Sequence, residues 1–259
     1  MADRMSYSVR AAERVLKILK CYRSGNQTAK TYQQIAQETD IPPSTAFKLV
    51  NVLVREGFLE EAPGEGEYRI GPEAFRVGNL YLANRQLISV AIPWLERLVD
   101  RVGMTVNLGI RSGDAAITIF SIQGTSRLSL TTNIGDRAPL HLSSLGKALL
   151  LDFSKDAIAD LLPPPPWVRR TEKTIADLDS FVEDLRISRQ RGYTFDDEEG
   201  NIGIRCVGYP IRNGGRQIVA AISATGTTIE MTDEIVPRLA AAVAEAGQKI
   251  SGELGYDPA

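Results

Sequence analysis

Four side chains in the first quarter of the chain share a spacing suited to gripping an anionic polymer. Ser44, Lys48, Asn51 and Arg55 recur at i, i+4, i+7 and i+11, so on a helix they form one stripe. Ala46, Val50 and Leu53 fall on the opposite side, flanked by Leu49 and Val54. Such a helix, apolar behind and small, polar and basic in front, can dock on a core and offer donors to base edges and phosphates. A second set lies far downstream. Ser223 and Thr225 stand two apart in an apolar run, so on a strand both hydroxyls point to one face. Ser143 and Ser144 open the run SLGKALLL, where their hydroxyls and the first helical N–H groups can hold a carboxylate. Cys206 offers a small, weakly polar wall, and Asp196 opens an acidic run that can accept a ligand hydroxyl. The plainer alternatives are a solvated helix face, helix caps, a core cysteine and partners for nearby arginines.

The flanks of the first stripe favour nucleic acid. Residues 9–23 carry Val9, Ala12, Val15, Leu16, Leu19 and Tyr22 at helical spacing, and Ser24-Gly25-Asn26 supplies a turn. Residues 31–39 make a short second helix with Ile35 and Ala36 as its apolar side. Asp40-Ile41-Pro42-Pro43 breaks it, and proline is tolerated in the first turn of the next helix. Gly57 suits the position after that third helix. Phe58–Glu61, the turn Pro63-Gly64-Glu65-Gly66 and Tyr68-Arg69-Ile70 then read as a hairpin. Three helices and a hairpin describe a winged helix-turn-helix, with Thr31, Ser44, Thr45, Lys48, Asn51, Arg55 and Arg69 as candidate DNA contacts.

Composition bounds the rest. The 259 residues are 43% hydrophobic and 24% charged, ordinary for a globular chain. No run approaches the ~20 apolar residues of a membrane span, and MADRMSYSVR lacks a signal peptide's apolar stretch. Two cysteines make no disulfide framework, which suits a reducing cytoplasm. Residues 1–70 carry ten Lys and Arg against nine Asp and Glu, and the remainder carries twenty against twenty-three. DNA affinity therefore rests on a few well-placed cations, helix N-termini and dimerisation rather than a broad positive field.

Residues 72–90 read as a connecting helix, with Pro93 kinking or restarting it before Trp94–Val99. Strand candidates follow at MTVNLGI, AAITIFSIQ and RLSLTTNI, then helices over 144–151 and 155–162 and a stiff loop at Pro163–Pro166. A helix over 177–191, strands over 202–211 and 217–224, and an Ala-rich helix over 232–254 complete an α+β pattern. The expected division is 1–71 for DNA binding, 72–90 connecting, and 91–259 as an α+β domain, to which the resemblance below assigns effector binding and oligomerisation.

Three segments carry a resemblance. They are Leu140-His141-Leu142-Ser143-Ser144-Leu145-Gly146-Lys147-Ala148; Gly192-Tyr193 with Asp196–Glu199, Gly203 and Cys206–Ile211; and Ala220–Gly226. With the N-terminal module, they resemble the isocitrate lyase regulator (IclR) family of bacterial transcription factors from about Val9 to Gly255. The resemblance implies a connecting helix, a GAF-like mixed α/β domain that binds a small organic or aromatic acid, and homodimers or dimers of dimers on double-stranded operator DNA. It matches Asp196, Cys206, Ser223 and Thr225 to effector contacts, and Leu130, Ser144 and Leu145 to the opposite wall. Lys48 stands where the family commonly has Arg, and acts more as a point charge. Ser143-Ser144-Leu145 replaces smaller types before Gly-Lys, so Leu145 should favour a flat or apolar effector. The four-proline loop ending in Trp167 is not part of the family's pattern.

The expectation is a ligand-responsive transcriptional regulator, a repressor. The alternative is a small-molecule sensor acting on a protein partner. An enzyme fares poorly: His141 is the only histidine, leaving a Cys206–His141 pair as the sole conventional nucleophile and base. There is no P-loop, no GxGxxG after a strand and no spaced ligand set, so neither cofactor nor metal is expected.

Overall fold

Capping and turn chemistry set the element boundaries of the first unit. The computed structural model describes residues 9–22, 28–83, 86–125 and 133–258, and the chain divides into two units, 1–85 and 86–259. The first runs α1 (Arg10–Cys21), β1 (Ala29–Thr31), α2 (Tyr32–Thr39), α3 (Pro43–Arg55), β2 (Leu59–Glu61), β3 (Glu67–Ile70) and α4 (Pro72–Ala83). Thr31 starts α2 with a reciprocal capping box: its Oγ1 accepts from Gln34 N at 3.3 Å while its own N–H donates to Gln34 Oε1 at 2.8 Å. Asp40, left-handed at φ 54°, ends α2, and Pro43 begins α3 two residues after Ile41. Gly57 (φ +75°) closes α3, with Gly57 N–H donating to Val54 O at 3.0 Å and Phe58 N–H to Leu53 O at 2.9 Å. That pairing is a Schellman turn, which needs the left-handed residue.

Ala46, Val50 and Leu53 are buried as the periodicity predicts, packed with Ile18, Ile35, Ala36, Ile41, Leu59 and Tyr68. In α1 the prediction is corrected. Val9 and Leu16 are exposed and Ile18 is wholly buried, because the core meets the face carrying Val15, Ile18, Leu19 and Tyr22. Strand β1 is also unforeseen; three residues give no readable alternation, yet it pairs with β3 to make the sheet β1-β3-β2. Ser24-Gly25-Asn26 lies outside the described residues.

The second unit opens with α5 (Gln86–Val102), which runs through Pro93 rather than breaking there. Proline removes one backbone bond to Ser89 O, but Leu87, Ala91, Leu95, Leu98 and Val99 are buried along the helix and hold it. Then come β4 (Thr105–Ser112), β5 (Ala115–Ile122), β6 (Arg137–Pro139), a 3-10 turn at Leu140–Leu142, α6 (Ser144–Leu149), α7 (Lys155–Leu161), α8 (Leu178–Arg191), β7 (Thr194–Asp197), β8 (Ile204–Arg212), β9 (Ile218–Thr227) and α9 (Val236–Glu253). The sheet order is β6-β5-β4-β9-β8-β7, antiparallel throughout. One face carries Val106, Leu108, Val207, Ile222 and Ala224, all buried, and Tyr209 on it meets Gly247 of α9. The other face receives α6. The α+β expectation holds, whereas most of the strand expected at RLSLTTNI lies outside the described residues.

Replacing Thr31 by Ala removes the capping box, so the first unit should lose about 1 kcal/mol. Urea unfolding of the full chain checks this: the helix signal should shift while fluorescence of Trp94 and Trp167, both in the second unit, does not.

Candidate nucleic-acid interface and effector site

Docking of α3 through its apolar face turns Ser44, Lys48, Asn51 and Arg55 to solvent, with Thr45 half-buried at the side. The charges on this surface are unequal. Arg55 Nε donates to Glu56 at 2.9 Å, and Arg69 on the wing donates to Glu60 at 2.7 Å. Lys30 is buried against both oxygens of Glu38 at 2.6 Å. Lys48 has no ion-pair partner among the described residues. Thr31 is committed first to its cap.

In the second unit, strand register assembles the distal set. Thr194, Gly208, Ser223, Asn107 and Ser121 are paired across five strands, so their side chains share one face. Two residues along, Asp196, Cys206, Thr225 and Thr105 form a parallel row. Side-chain bonds run along both: Ser121 Oγ donates to Asn107 Oδ1 at 2.8 Å, and Thr225 Oγ1 to Cys206 Sγ at 3.4 Å. Ser223 is buried and makes no side-chain hydrogen bond among the described residues. Register thus brings together Asp196, Cys206, Ser223 and Thr225, and adds Asn107 and Ser121, which the sequence reading missed. The signal was present: Asn107 alternates with Val106 and Leu108 in β4.

Helix α6 roofs one end of these rows. Gly208 lies directly under it; a Cβ there would stand 2.6 Å from Ser144 O and 2.5 Å from Thr194 Oγ1, which itself donates to Ser144 O at 2.6 Å. Ser143 is the N-cap, its Oγ accepting from Gly146 N at 3.1 Å, so the plainer reading holds for that hydroxyl. Ser144 Oγ is buried without a partner. Leu145 lies over Gly109 and belongs to the core with Leu140 and Ala148. Leu130 lies outside the described residues.

The acidic run is a strand end and a turn rather than a solvated loop, and its members separate by burial. Asp197 pairs with Lys173 and Arg205, and Glu198 with Lys173. Asp196 and Glu199 turn inward. Glu199 accepts from Lys147 Nζ at 2.6 Å, while the same wholly buried ammonium reaches Phe195 O at 2.9 Å and Asp184 at 3.0 Å. Asp196 Oδ1 accepts from Glu199 N at 2.7 Å. Burial pushes the Asp196 carboxyl up to about 6, against the pull of Glu199 N–H and Lys147. Burial likewise pushes Glu199 up to about 7. It also raises the Cys206 thiol beside Asp196, the wrong direction for a nucleophile. His141 is engaged elsewhere, its Nε2 3.2 Å from Val168 O and its ring 5.0 Å from that of Trp167. Clefts of about 950 Å³ beside Arg101 and Arg238, and about 480 Å³ beside the proline loop, are not lined by the polar rows.

A winged helix with an exposed polar and basic recognition face, in one chain with a sensor-like α+β unit, defines a DNA-binding regulator of transcription. Residues 11–63 match the IclR helix-turn-helix domain, and residues 79–252 match the family described as bacterial transcriptional regulator IclR C-terminal. The chain belongs to the IclR family of transcriptional regulators. It is 33% identical over 248 residues to the HTH-type transcriptional repressor AllR of Salmonella typhi, covering 96% of this chain and 91% of that protein. It is 32% identical over 245 residues to the transcriptional repressor IclR of Escherichia coli, covering 94% and 89%. The fold is similar to that of Thermotoga maritima IclR (TM-score 0.76, 26% identity, 95% and 98% covered). An IclR homolog of Microbacterium hydrocarbonoxydans, solved with 4-hydroxybenzoate, is similar in fold (TM-score 0.80, 24% identity, 94% and 98% covered).

Two outcomes follow from the buried charges. Lys147→Met leaves Glu199 without its cation and should destabilise the second unit by about 3–5 kcal/mol at pH 8, less at pH 5 where Glu199, raised to about 7, takes a proton. Trp fluorescence during urea unfolding reads both values. Asp196 and Glu199 hold protons to about pH 6 and 7 when folded but only to about 4 when unfolded. The folded state therefore binds more protons between about pH 4 and 7, and stability falls as pH rises through that window. In Asp196→Asn the fall between pH 5 and pH 7.5 should be shallower than in the wild type.

Proposed function

We propose that this protein is a ligand-responsive repressor, whose α3 enters the major groove of operator DNA and whose second unit binds a small organic or aromatic carboxylate. The observation that carries the reading is the double row of buried and half-buried polar side chains under α6. A sheet face packed only for stability would be apolar, as the part of the opposite face against α9 is; a buried hydroxyl without a partner, such as Ser144 Oγ, costs stability unless a ligand or water satisfies it. Ser144, Ser223 and Asn107 offer hydrogen bonds to a ligand's polar groups, and Leu145 presents apolar bulk beside them. Asp196 accepts a hydroxyl when ionised and donates to a carboxylate when protonated, so an anionic effector binds with proton uptake. The bound 4-hydroxybenzoate of the Microbacterium hydrocarbonoxydans homolog supports this class of ligand.

On the DNA side, Thr31, Ser44, Thr45, Lys48, Asn51, Arg55 and Arg69 make the proposed contacts. Pairing of chains sets two recognition helices about one helical turn of DNA apart. Repression is relieved only when the effector binds the DNA-competent and DNA-incompetent states unequally.

Mobility shift and calorimetry on one set of variants test the assignment. Lys48→Ala and Arg55→Ala should weaken operator binding several-fold and leave effector affinity intact, while Ser223→Ala should do the reverse. A thermal-shift screen of carboxylic acids supplies the effector, since binding to the native state alone raises the transition. Equal loss of both activities in every variant would defeat the assignment.

A further inference from the structure

Two large apolar side chains on the solvent side of α3 are left unexplained by its polar stripe. Phe47 is 44% exposed and Val52 39% exposed. At 100° per residue they flank Ser44, Lys48, Asn51 and Arg55 on either side. Phe47 is the better placed, in the N-terminal half of α3, the part of a recognition helix that reaches base edges. It is also held. The Tyr32 ring, on the first residue of α2, meets it edge-on with centroids 5.3 Å apart and planes at 67°. An edge-to-face pair limits ring rotation and leaves the outer side of Phe47 open. Both helices of the helix-turn-helix thus contribute to one aromatic ledge beside Lys48.

Among base pairs seen from the major groove, thymine alone presents a methyl group, next to an O4 acceptor. An apolar ledge beside a cation matches that pair of features. The wing adds little competing attraction. The hairpin carries Glu60, Glu61, Glu65 and Glu67, and Arg69 is engaged with Glu60. We infer that Phe47, buttressed by Tyr32, reads a thymine C5-methyl in the operator, making it a specificity-determining residue. This rests on the reading of α3 as the recognition helix.

Deoxyuridine differs from thymidine by that methyl alone, so it tests the contact atom by atom. The full-length protein is first used to select its operator from random duplexes, and each thymine is then replaced singly by deoxyuridine. One symmetry-related position per half-site should weaken wild-type binding about fourfold, the effect of uncovering one methyl group. In Phe47→Ala the same replacement should change nothing, while sequence-independent binding and the salt dependence stay as in the wild type. The wild-type arm needs no substituted protein, so a folding defect in the variant cannot decide the outcome. No sensitive thymine in the wild type, or the same penalty persisting in Phe47→Ala, would overturn the assignment of Phe47 alone. Failure to select any duplex would overturn it together with the recognition-helix reading.

Discussion

The Lys147 ammonium fixes the effector unit. It is wholly buried, and taking such an ion out of water costs several kcal/mol unless acceptors surround it. Three segments answer it: the end of β7 and the following turn accept hydrogen bonds at Phe195 O and Glu199, and α8 brings the Asp184 carboxylate to 3.0 Å. Because Lys147 belongs to α6, satisfying its charge pins that helix against α8 and the β7 edge. The position leaves no room for a side chain at Gly208, whose Cα lies under Ser144 O. The roof of the polar rows is therefore set by an ion pair as much as by packing. Burial raises the Asp196 and Glu199 carboxyls near this cation, so both hold protons to near-neutral pH.

The two faces of the sheet show what that arrangement permits. Against α5 and α9, β4, β8 and β9 present branched and small apolar side chains, and the layer is closed. Under α6 the same strands present Asn107, Ser223, Thr225 and Cys206, with Asp196 at the end. Helix α6 is only six residues long, so much of the length of these strands is left to other side chains. Strand alternation then gives one chain segment both a structural and a chemical surface.

Much of this was legible where a single local period carried the information. Pro43, the Ala46-Val50-Leu53 face and Gly57 state where α3 begins, what it buries and how it ends. The Ser223/Thr225 pair was legible for the same reason. What escaped depends on partners distant in sequence. Strands β1 and β7 are three and four residues long, too short to alternate, and exist because β3 and β8 pair with them. The acidic run looked uniform, and only the β7 register and the turn after it sort Asp196 and Glu199 inward from Asp197 and Glu198 outward. Ile18 was hidden because α1 has apolar residues on two faces, and the core chose one. The importance of Lys147 had a signal, a lone cation inside SLGKALLL, but its acceptors lie some forty to fifty residues away.

Charge placement in the first unit constrains how such a protein tells one DNA site from another. Of the cations on the helix-turn-helix and wing, Lys30, Arg55 and Arg69 each hold a carboxylate, and only Lys48 holds none among the described residues. On α3 the unpaired positive charge is thus Lys48, while Arg10, Arg14, Lys17 and Lys20 of α1 also hold no ion pair among the described residues. Discrimination scales with the difference between right and wrong sites, not with total attraction. On the proposed reading, the contacts of Ser44, Asn51 and the neighbouring aromatic edge carry that difference. Lys48 itself offers a point charge rather than a planar fork, and Ser44, Asn51 and Phe47 stand beside it on the exposed side of α3.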